Sequence, residues 1–229
     1  MMHALFYFFA PAEWLQRFVY LVLQIVYLSI VYVLIKKENS DFKEHGFWWP
    51  ENSGKYVSAC VLFVLAHIFI NLFLLGSFFG FELSAPVPQP FLELLDALLT
   101  SVASESVFRG YIQRKLVKVY GFLPVLGVSS LMFSLYGIQI PSVLSSGPTF
   151  LFTGIASLFI TGVFLGLLFQ KTMTLICPVT FYGLLLLLRS LTPLQAAITG
   201  YVALFYNVIA YAFLILLVYA LAIGKFWEP

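Results

Sequence analysis

Seven long and nearly uninterrupted apolar runs constrain this chain more than any other sequence feature. A run of about 20 apolar residues is long enough to cross the hydrocarbon core of a bilayer as a helix. Strands of a membrane barrel would alternate apolar and polar residues, whereas these runs are apolar throughout, so helices are expected. The sequence therefore predicts an all-α polytopic membrane helix bundle of about seven transmembrane helices, near residues 15–35, 56–81, 91–108, 121–140, 149–170, 173–188 and 195–223.

The composition supports a membrane protein rather than a soluble one. With 62% hydrophobic and 10% charged residues, the chain has too little polar surface to coat a water-soluble globule. Seven spans and their short loops take up all 229 residues, which predicts a single transmembrane domain over residues 1–229. The net charge of +2 is too small to indicate a nucleic-acid partner, so the predicted partner is the lipid bilayer.

The basic residues predict the orientation of the bundle. In seven-span phasing, ten of the twelve Lys and Arg residues fall on one side, and the other side holds only Arg17 and Arg189. Cytoplasmic loops carry an excess of Lys and Arg, which predicts an integral membrane protein with its N-terminus outside and its C-terminus in the cytoplasm. The ten residues on the predicted cytoplasmic side are Lys36, Lys37, Lys43, Lys55, Arg109, Arg114, Lys115, Lys118, Lys171 and Lys225.

Three further features of the apolar runs and their loops lead to structural predictions. Gly154, Gly162 and Gly166 form a small-residue face that favours close helix packing within the bundle, with dimerisation as the alternative. Pro178 indicates a kink or break in the sixth span. The segment KKENSDFKEHGFWWPENSGK is typical of a cytoplasmic interfacial hairpin anchored by its tryptophans, with peptide docking as the alternative.

The third span holds the ionisable residues that point to a site. Glu105 and Arg109 are four residues apart, so they share one helix face and can form an ion pair, with Ser104 and Ser106 placed to donate hydrogen bonds to the carboxylate. Charged residues inside a membrane mark either function or a structural pair. Taken alone, the spacing fits an architectural clamp and a catalytic site equally well.

The segment SESVFRGYIQRKL resembles the first motif, EExxxR, of the CAAX protease and bacteriocin-processing (CPBP) membrane protease family. Glu105 and Arg109 match that motif, and Ser104 replaces its first glutamate. VSSLMFSLYG resembles the second motif, FxxxH, with Gly137 at the histidine position. A third likeness lies in ITGVFLGLLFQKTMTLICPVTFYG, which resembles the family's GxxxGLLY run and the histidine and asparagine that follow it. Tyr182 stands at that histidine position and Leu186 at that asparagine position. The resemblance covers a core of approximately residues 91–190 and implies a CPBP-like fold.

The same resemblance implies a catalytically degenerate member. The family uses a glutamate and a histidine to activate water, and a further His or Asn to stabilise the oxyanion. At the four positions that would supply these groups the chain has Ser104, Gly137, Tyr182 and Leu186. Glycine and leucine cannot move a proton, serine is not a base by itself, and tyrosine can at most donate a hydrogen bond.

His67 is the one residue that offers a catalytic alternative. It stands four residues before Asn71, in a His-xxx-Asn spacing that can replace the missing groups. The competing interpretation is a core histidine bonded to a neighbouring group. The three histidines are scattered, and Cys60 and Cys177 lack paired spacing, so the sequence predicts no metal, no disulfide and no cofactor.

Three functions remain open on this basis. The first is an accessory or scaffold subunit, or a binder of hydrophobic peptide or lipidated tails, with other membrane protein subunits or such tails as partners. The second is an active intramembrane endopeptidase of the CAAX type that uses Glu105 with His67. The third is a small transporter or channel, indicated only by intramembrane polar residues such as Asn207 and Gln139.

Overall fold

A computed structural model describes residues 13–71, 81–83, 90–138, 148–191, 194–196 and 201–223. These residues form seven helices, which confirms the all-α membrane bundle. The side chains of Asn71 and Gln139 lie outside the described residues, as do the first twelve residues. The helices and strands, in chain order, are α1 (Glu13–Lys37), α2 (Ser53–Asn71), β1 (Phe81–Leu83), α3 (Pro90–Glu105, Ser106–Gln113 and Arg114–Tyr120), α4 (Phe122–Gly137), α5 (Pro148–Thr172), α6 (Ile176–Leu191), β2 (Leu194–Ala196) and α7 (Tyr201–Ile223).

Four of these helices are long and apolar enough to cross a membrane, counted over the described ranges. The spans are Phe18–Lys37, Ser53–Ile70, Leu151–Thr172 and Leu204–Ala222, and shorter apolar helices cover Phe122–Gly137 and Ile176–Leu188. The helix α3 is the polar member of the bundle, because it carries Glu93, Asp96, Glu105 and Arg109. Its central part, Ser106–Gln113, is π-helical.

The helices pack in an order that places α6 and α5 at the centre. Helix α6 packs against α2, α3 and α5, while α5 also packs against α4 and α7. Helix α1 packs against α3. Between them lies a core of large aromatic side chains that are almost completely buried: Phe63, Phe133, Phe164, Phe181 and Tyr211. Cys60 and Cys177, which are distant in sequence, are both fully buried in this core.

The structure corrects the predicted ends of two spans. The second was expected to reach residue 81 and the seventh to begin at 195, but Phe81–Leu83 and Leu194–Ala196 pair as a short antiparallel ladder, with Glu82 opposite Gln195. Apolar composition alone does not distinguish a helix end from a short strand, so the sequence predicts helix at both places.

The predicted break at Pro178 is also wrong. The sixth helix begins at Ile176, so Pro178 lies in its first turn. The first turn of a helix has no intrahelical acceptor for its N–H groups, and a proline there removes no helical hydrogen bond. Helix α6 therefore starts, rather than breaks, near this proline.

Candidate functional site

The π-helical part of α3 carries the ionisable pair predicted from the sequence. Glu105 is the last residue before the π segment, and Arg109 lies within it. Gly110 weakens the preference for an ordinary α-helix here, since glycine is a poor helix former. π-helical turns recur at functional sites, and this one occurs where the charged residues are.

Glu105 and Arg109 form a completely buried ion pair. Arg109 Nε lies 3.4 Å from Glu105 Oε2, and both side chains have no exposed area. Arg109 Nη2 donates a hydrogen bond of 2.7 Å to the carbonyl oxygen of Gly162 on α5. The guanidinium carbon also lies 4.5 Å from the centre of the Phe133 ring on α4. One arginine thus joins three helices, which is the geometry of a clamp.

Gln113 repeats this attachment one turn further along. Its side-chain Nε2 donates a 3.1 Å hydrogen bond to the carbonyl oxygen of Gly166. Arg109 and Gln113 therefore bind two glycine carbonyls that are one turn apart on α5. The sequence motif did not single out Gln113, because nothing in its local pattern shows that it faces the same groove as Arg109.

The two glycines allow this close approach. A Cβ atom at Gly162 would lie 3.0 Å from Cα of Ser130 on α4, and one at Gly166 would lie 2.5 Å from Cδ1 of Leu126. Gly154 has open space around its missing Cβ. The predicted packing of the small-residue face within the bundle is confirmed at Gly162 and Gly166, and Gly154 takes no part in it.

The serines next to the carboxylate do not donate to it, contrary to expectation. Ser104 Oγ donates to the carbonyl oxygen of Thr100 at 2.7 Å, and Ser106 Oγ donates to that of Val102 at 2.6 Å. A helical serine readily bonds to the carbonyl four residues earlier, and this competes with longer contacts. Among the described residues, both carboxylate oxygens of Glu105 lack a hydrogen-bond donor, and Arg109 Nη1 lacks an acceptor.

The four replaced motif positions have different surroundings in the structure. Ser104 is buried and bonded to its own helix. Gly137 ends α4, and a Cβ there would lie 3.0 Å from Leu158 Cδ1. Tyr182 is buried with its ring centre 5.3 Å from that of Phe133. Leu186 is partly buried against the core.

His67 contacts aromatic rings of α6 and α7. Its ring is buried, 4.7 Å from Tyr211 on α7 and 6.4 Å from Phe181 on α6. Its helix α2 packs on α6 and α7, whereas the helix of Glu105 packs on α1, α4, α5 and α6. The helices of His67 and Glu105 therefore share α6 as a neighbour and differ in their other neighbours.

The predicted interfacial hairpin is a docked segment. Within it, Asp41 caps a short helical turn, Phe42–His45, which ends at Gly46 in the left-handed conformation. The side chain of His45 is buried and its Nδ1 donates to the carbonyl oxygen of Gly110 at 2.8 Å, since a carbonyl oxygen can only accept. A Cβ at Gly110 would lie 3.1 Å from the His45 carbonyl oxygen. The docking segment, residues 38–49, therefore rests on the π-helical part of α3.

The same segment also holds the turn between α5 and α6. Leu175 N donates to the carbonyl oxygen of Gly46 at 3.0 Å. Trp48 Nε1 donates to that of Met173 at 2.9 Å, and Thr174 Oγ1 donates to that of Trp48 at 3.1 Å. The capping Asp41 and the helix-ending Gly46 can be recognised in the sequence. The contacts of this segment with residues more than 60 positions away cannot.

An apolar cleft of about 280 Å³ lies where these segments meet. The docking segment forms one wall, and the side chains of α3 and of the start of α6 form the others. Its lining residues are Gly46, Phe47, Trp48, Trp49, Val102, Ser106, Leu175, Ile176 and Val179.

Comparison with known proteins assigns the centre of the chain. The sequence model of the family described as type II CAAX prenyl endopeptidase Rce1-like matches residues 86–188. This stretch of the chain is similar to the Rce1-like family. The Rce1-like segment contains α3, α4 and α5 and most of α6, and with them Glu105, Arg109, Gly162 and Tyr182. No curated protein and no solved structure matches the chain.

The match confirms the family resemblance that the sequence motifs indicate. Together with the apolar helices, it makes the chain an integral membrane protein with a CAAX-protease-like core. The docking segment and helices α1, α2 and α7 lie outside the Rce1-like match, so the His45 contact and the cleft join matched to unmatched parts of the chain.

Proposed function

We propose that this Rce1-like membrane protein does not hydrolyse peptide bonds and serves as a non-catalytic scaffold. In this role it is an accessory subunit of a membrane assembly, or it binds hydrophobic peptide or lipidated tails. The Glu105–Arg109 pair then holds helices together instead of activating water. Support comes from the three-helix attachment of Arg109.

The observation that carries the proposal is the environment of Gly137. Activating water needs a group that accepts its proton, and the related motif has a histidine at this position. Here the residue is a glycine, which has no side chain. A Cβ atom at this position would lie 3.0 Å from Leu158 Cδ1. Leu158, and not a basic side chain, therefore packs against the position at which the motif has its histidine.

The two histidines among the described residues contact other groups. His45 donates to Gly110 in the docking segment, and His67 packs on Tyr211 and Phe181. Tyr182, at a second histidine position, packs against Phe133. These placements favour the scaffold over an endopeptidase that pairs Glu105 with His67.

A peptidase assay tests the absence of activity. Purified protein in lipid nanodiscs is incubated with fluorogenic peptides that carry prenylated C-a-a-X tails, beside Glu105→Gln and His67→Ala variants. We expect the same background rate from all three. Turnover by the wild-type protein that is lost in Glu105→Gln would overturn the proposal, and loss in both variants would establish the endopeptidase.

Assembly tests the scaffold directly. Protein extracted in mild detergent is chemically cross-linked and separated by size, with Glu105→Gln as the matched variant. We expect a defined complex larger than the single chain in both samples, because the clamp is structural. A chain that always runs alone and binds no tail peptide contradicts the scaffold function.

The orientation inferred from the basic residues is part of the proposal. In a variant with Cys60 and Cys177 replaced by alanine, single cysteines are introduced at Ser40 or at Ser84 and labelled in intact cells with an impermeant maleimide. We expect labelling only at Ser84→Cys, since Ser40 follows Lys36 and Lys37 on the predicted cytoplasmic side. The reverse pattern would invert the topology.

A further inference from the structure

The cleft beside Trp48 has the chemistry of a hydrocarbon site. Its lining is apolar apart from Ser106, whose hydroxyl is already bonded to the carbonyl oxygen of Val102 at 2.6 Å. The indole N–H of Trp48 is likewise bonded, to Met173. A ligand in this cleft meets carbon surface, which suits an aliphatic chain and not a polar molecule.

The walls of the cleft are fixed before any ligand enters. Hydrogen bonds join Gly46 to Leu175 and Trp48 to Thr174, across the two connections. On the other side, His45 holds the docking segment to Gly110. A preformed site binds more tightly because little ordering is required on binding.

A cation stands next to the cleft. Lys43 Nζ lies 5.5 Å from the centre of the Trp48 ring, and Trp48 is a lining residue. Asp41 binds the backbone N of Lys43, not its ammonium group. The nearby carboxylate of Glu44 is instead paired with Lys118, at 3.4 Å. Lys43 is thus placed to attract an anionic head beside an apolar chain.

Trp49 indicates the depth of this site in the bilayer. Its side chain is 73% exposed, next to the lysines of the same connection. Tryptophans next to lysines mark the membrane–water interface, where lipid headgroups and the first part of the acyl chains meet. At this depth, a bilayer lipid can place its headgroup beside the lysines and its acyl chain in the cleft.

We propose that this cleft binds one acyl chain of an anionic membrane lipid, with the headgroup at Lys43. The site differs in location from the buried Glu105–Arg109 clamp and does not depend on whether the protein is a peptidase. Its volume of about 280 Å³ holds a segment of one chain and not a whole lipid.

Fluorescence quenching by brominated lipids tests the site. Trp14, Trp49 and Trp227 are replaced by phenylalanine, so that Trp48 is the only emitter, and the protein is placed in zwitterionic vesicles with rising fractions of brominated phosphatidylglycerol or brominated phosphatidylcholine. We expect saturable quenching, with a midpoint about fivefold lower for the anionic lipid, the factor for one lysine near a charged headgroup.

Two substitutions with matched controls separate the parts of the proposal. Lys43→Gln should remove the anionic preference, while Lys37→Gln, a lysine on the same side, should leave it. Val179→Phe fills the cleft and should remove the saturable component, while Val128→Phe on the exposed face of α4 should not. Thermal unfolding of each variant verifies that it is folded.

Three outcomes would overturn the proposal. Quenching that rises linearly, equally for both lipids and unchanged by Val179→Phe, would mean contact with the bulk bilayer only. An anionic preference that survives Lys43→Gln would contradict the headgroup position. Protection of Trp48 by a farnesylated tetrapeptide at lower concentration than by unbrominated anionic lipid would assign the cleft to a lipidated tail.

Discussion

Arg109 Nε lies 3.4 Å from Glu105 Oε2, with neither side chain exposed. In a membrane bundle, two buried charges are tolerated when each has a partner and the arginine has further acceptors. Besides this ion pair, Arg109 Nη2 donates a hydrogen bond to the Gly162 carbonyl oxygen, at 2.7 Å. The pair therefore links the π-helical part of α3 to α5. Four measurements test how this link and the contacts around it stabilise the protein.

Removing the arginine should strongly destabilise the bundle. Arg109→Ala leaves Glu105 buried without its counter-charge, which costs about 3–5 kcal/mol of unfolding free energy. Lys118→Ala, at a salt bridge whose side chains are 67% and 58% exposed, should cost less than about 1 kcal/mol. Unfolding in detergent, followed by circular dichroism, compares the two. Equal losses would contradict the clamp.

The glycine face provides a second comparison. Gly166→Ala would bring a Cβ to 2.5 Å from Leu126 Cδ1 and 3.0 Å from Gln113 Oε1, so α4 or Gln113 has to shift. Overpacking of this kind costs about 1–3 kcal/mol. Gly154→Ala meets open space and should be neutral or slightly stabilising. A thermal-shift assay measures the melting temperatures of both variants. The same melting temperature for both would show that α5 does not need a glycine at position 166.

Release of the docking segment should be visible by proteolysis. His45→Ala removes the bond to the Gly110 carbonyl oxygen, and Gly110→Ala places a Cβ 3.1 Å from the His45 carbonyl oxygen. Both variants should be cut faster by trypsin after Lys43, because local opening exposes the site. Gly54→Ala, where a Cβ meets nothing within 4 Å, is the control. Unchanged cleavage in both variants would mean that docking depends on other contacts.

Glu38 should make stability depend on pH. Hydrogen bonds from Lys115 and Tyr111 lower the pKa of Glu38 below its ordinary value. The folded state therefore gains stability from the ionised carboxylate above the unfolded-state pKa of about 4.3, and loses it as the pH falls through the folded-state pKa. Glu38→Gln should remove this acid-side loss.

Melting temperatures of wild type and Glu38→Gln between neutral pH and about pH 3 measure the effect. The wild-type advantage should shrink as the pH falls. Lys115→Met should reduce the same difference, because it removes the first of the two donors. A constant gap at all pH values would show that Glu38 contributes through packing and not through its charge.

The sequence by itself determined the class of fold and the identity of the ion pair. Apolar runs of spanning length can satisfy their backbone groups in lipid only as helices, so composition and length were sufficient. The four-residue spacing placed Glu105 and Arg109 within reach of each other, and the small-residue face pointed to α5 as a close-packing helix. These are local consequences of helix geometry.

The tertiary structure decided what those residues contact. The π-helical segment, the attachment of Arg109 and Gln113 to Gly162 and Gly166, and the leucine beside Gly137 all depend on the side that another helix presents. The docking of His45 on Gly110 joins residues 65 positions apart. Helix periodicity predicts which residues share a face, but the partner of that face is set by packing, and packing is a property of the whole bundle.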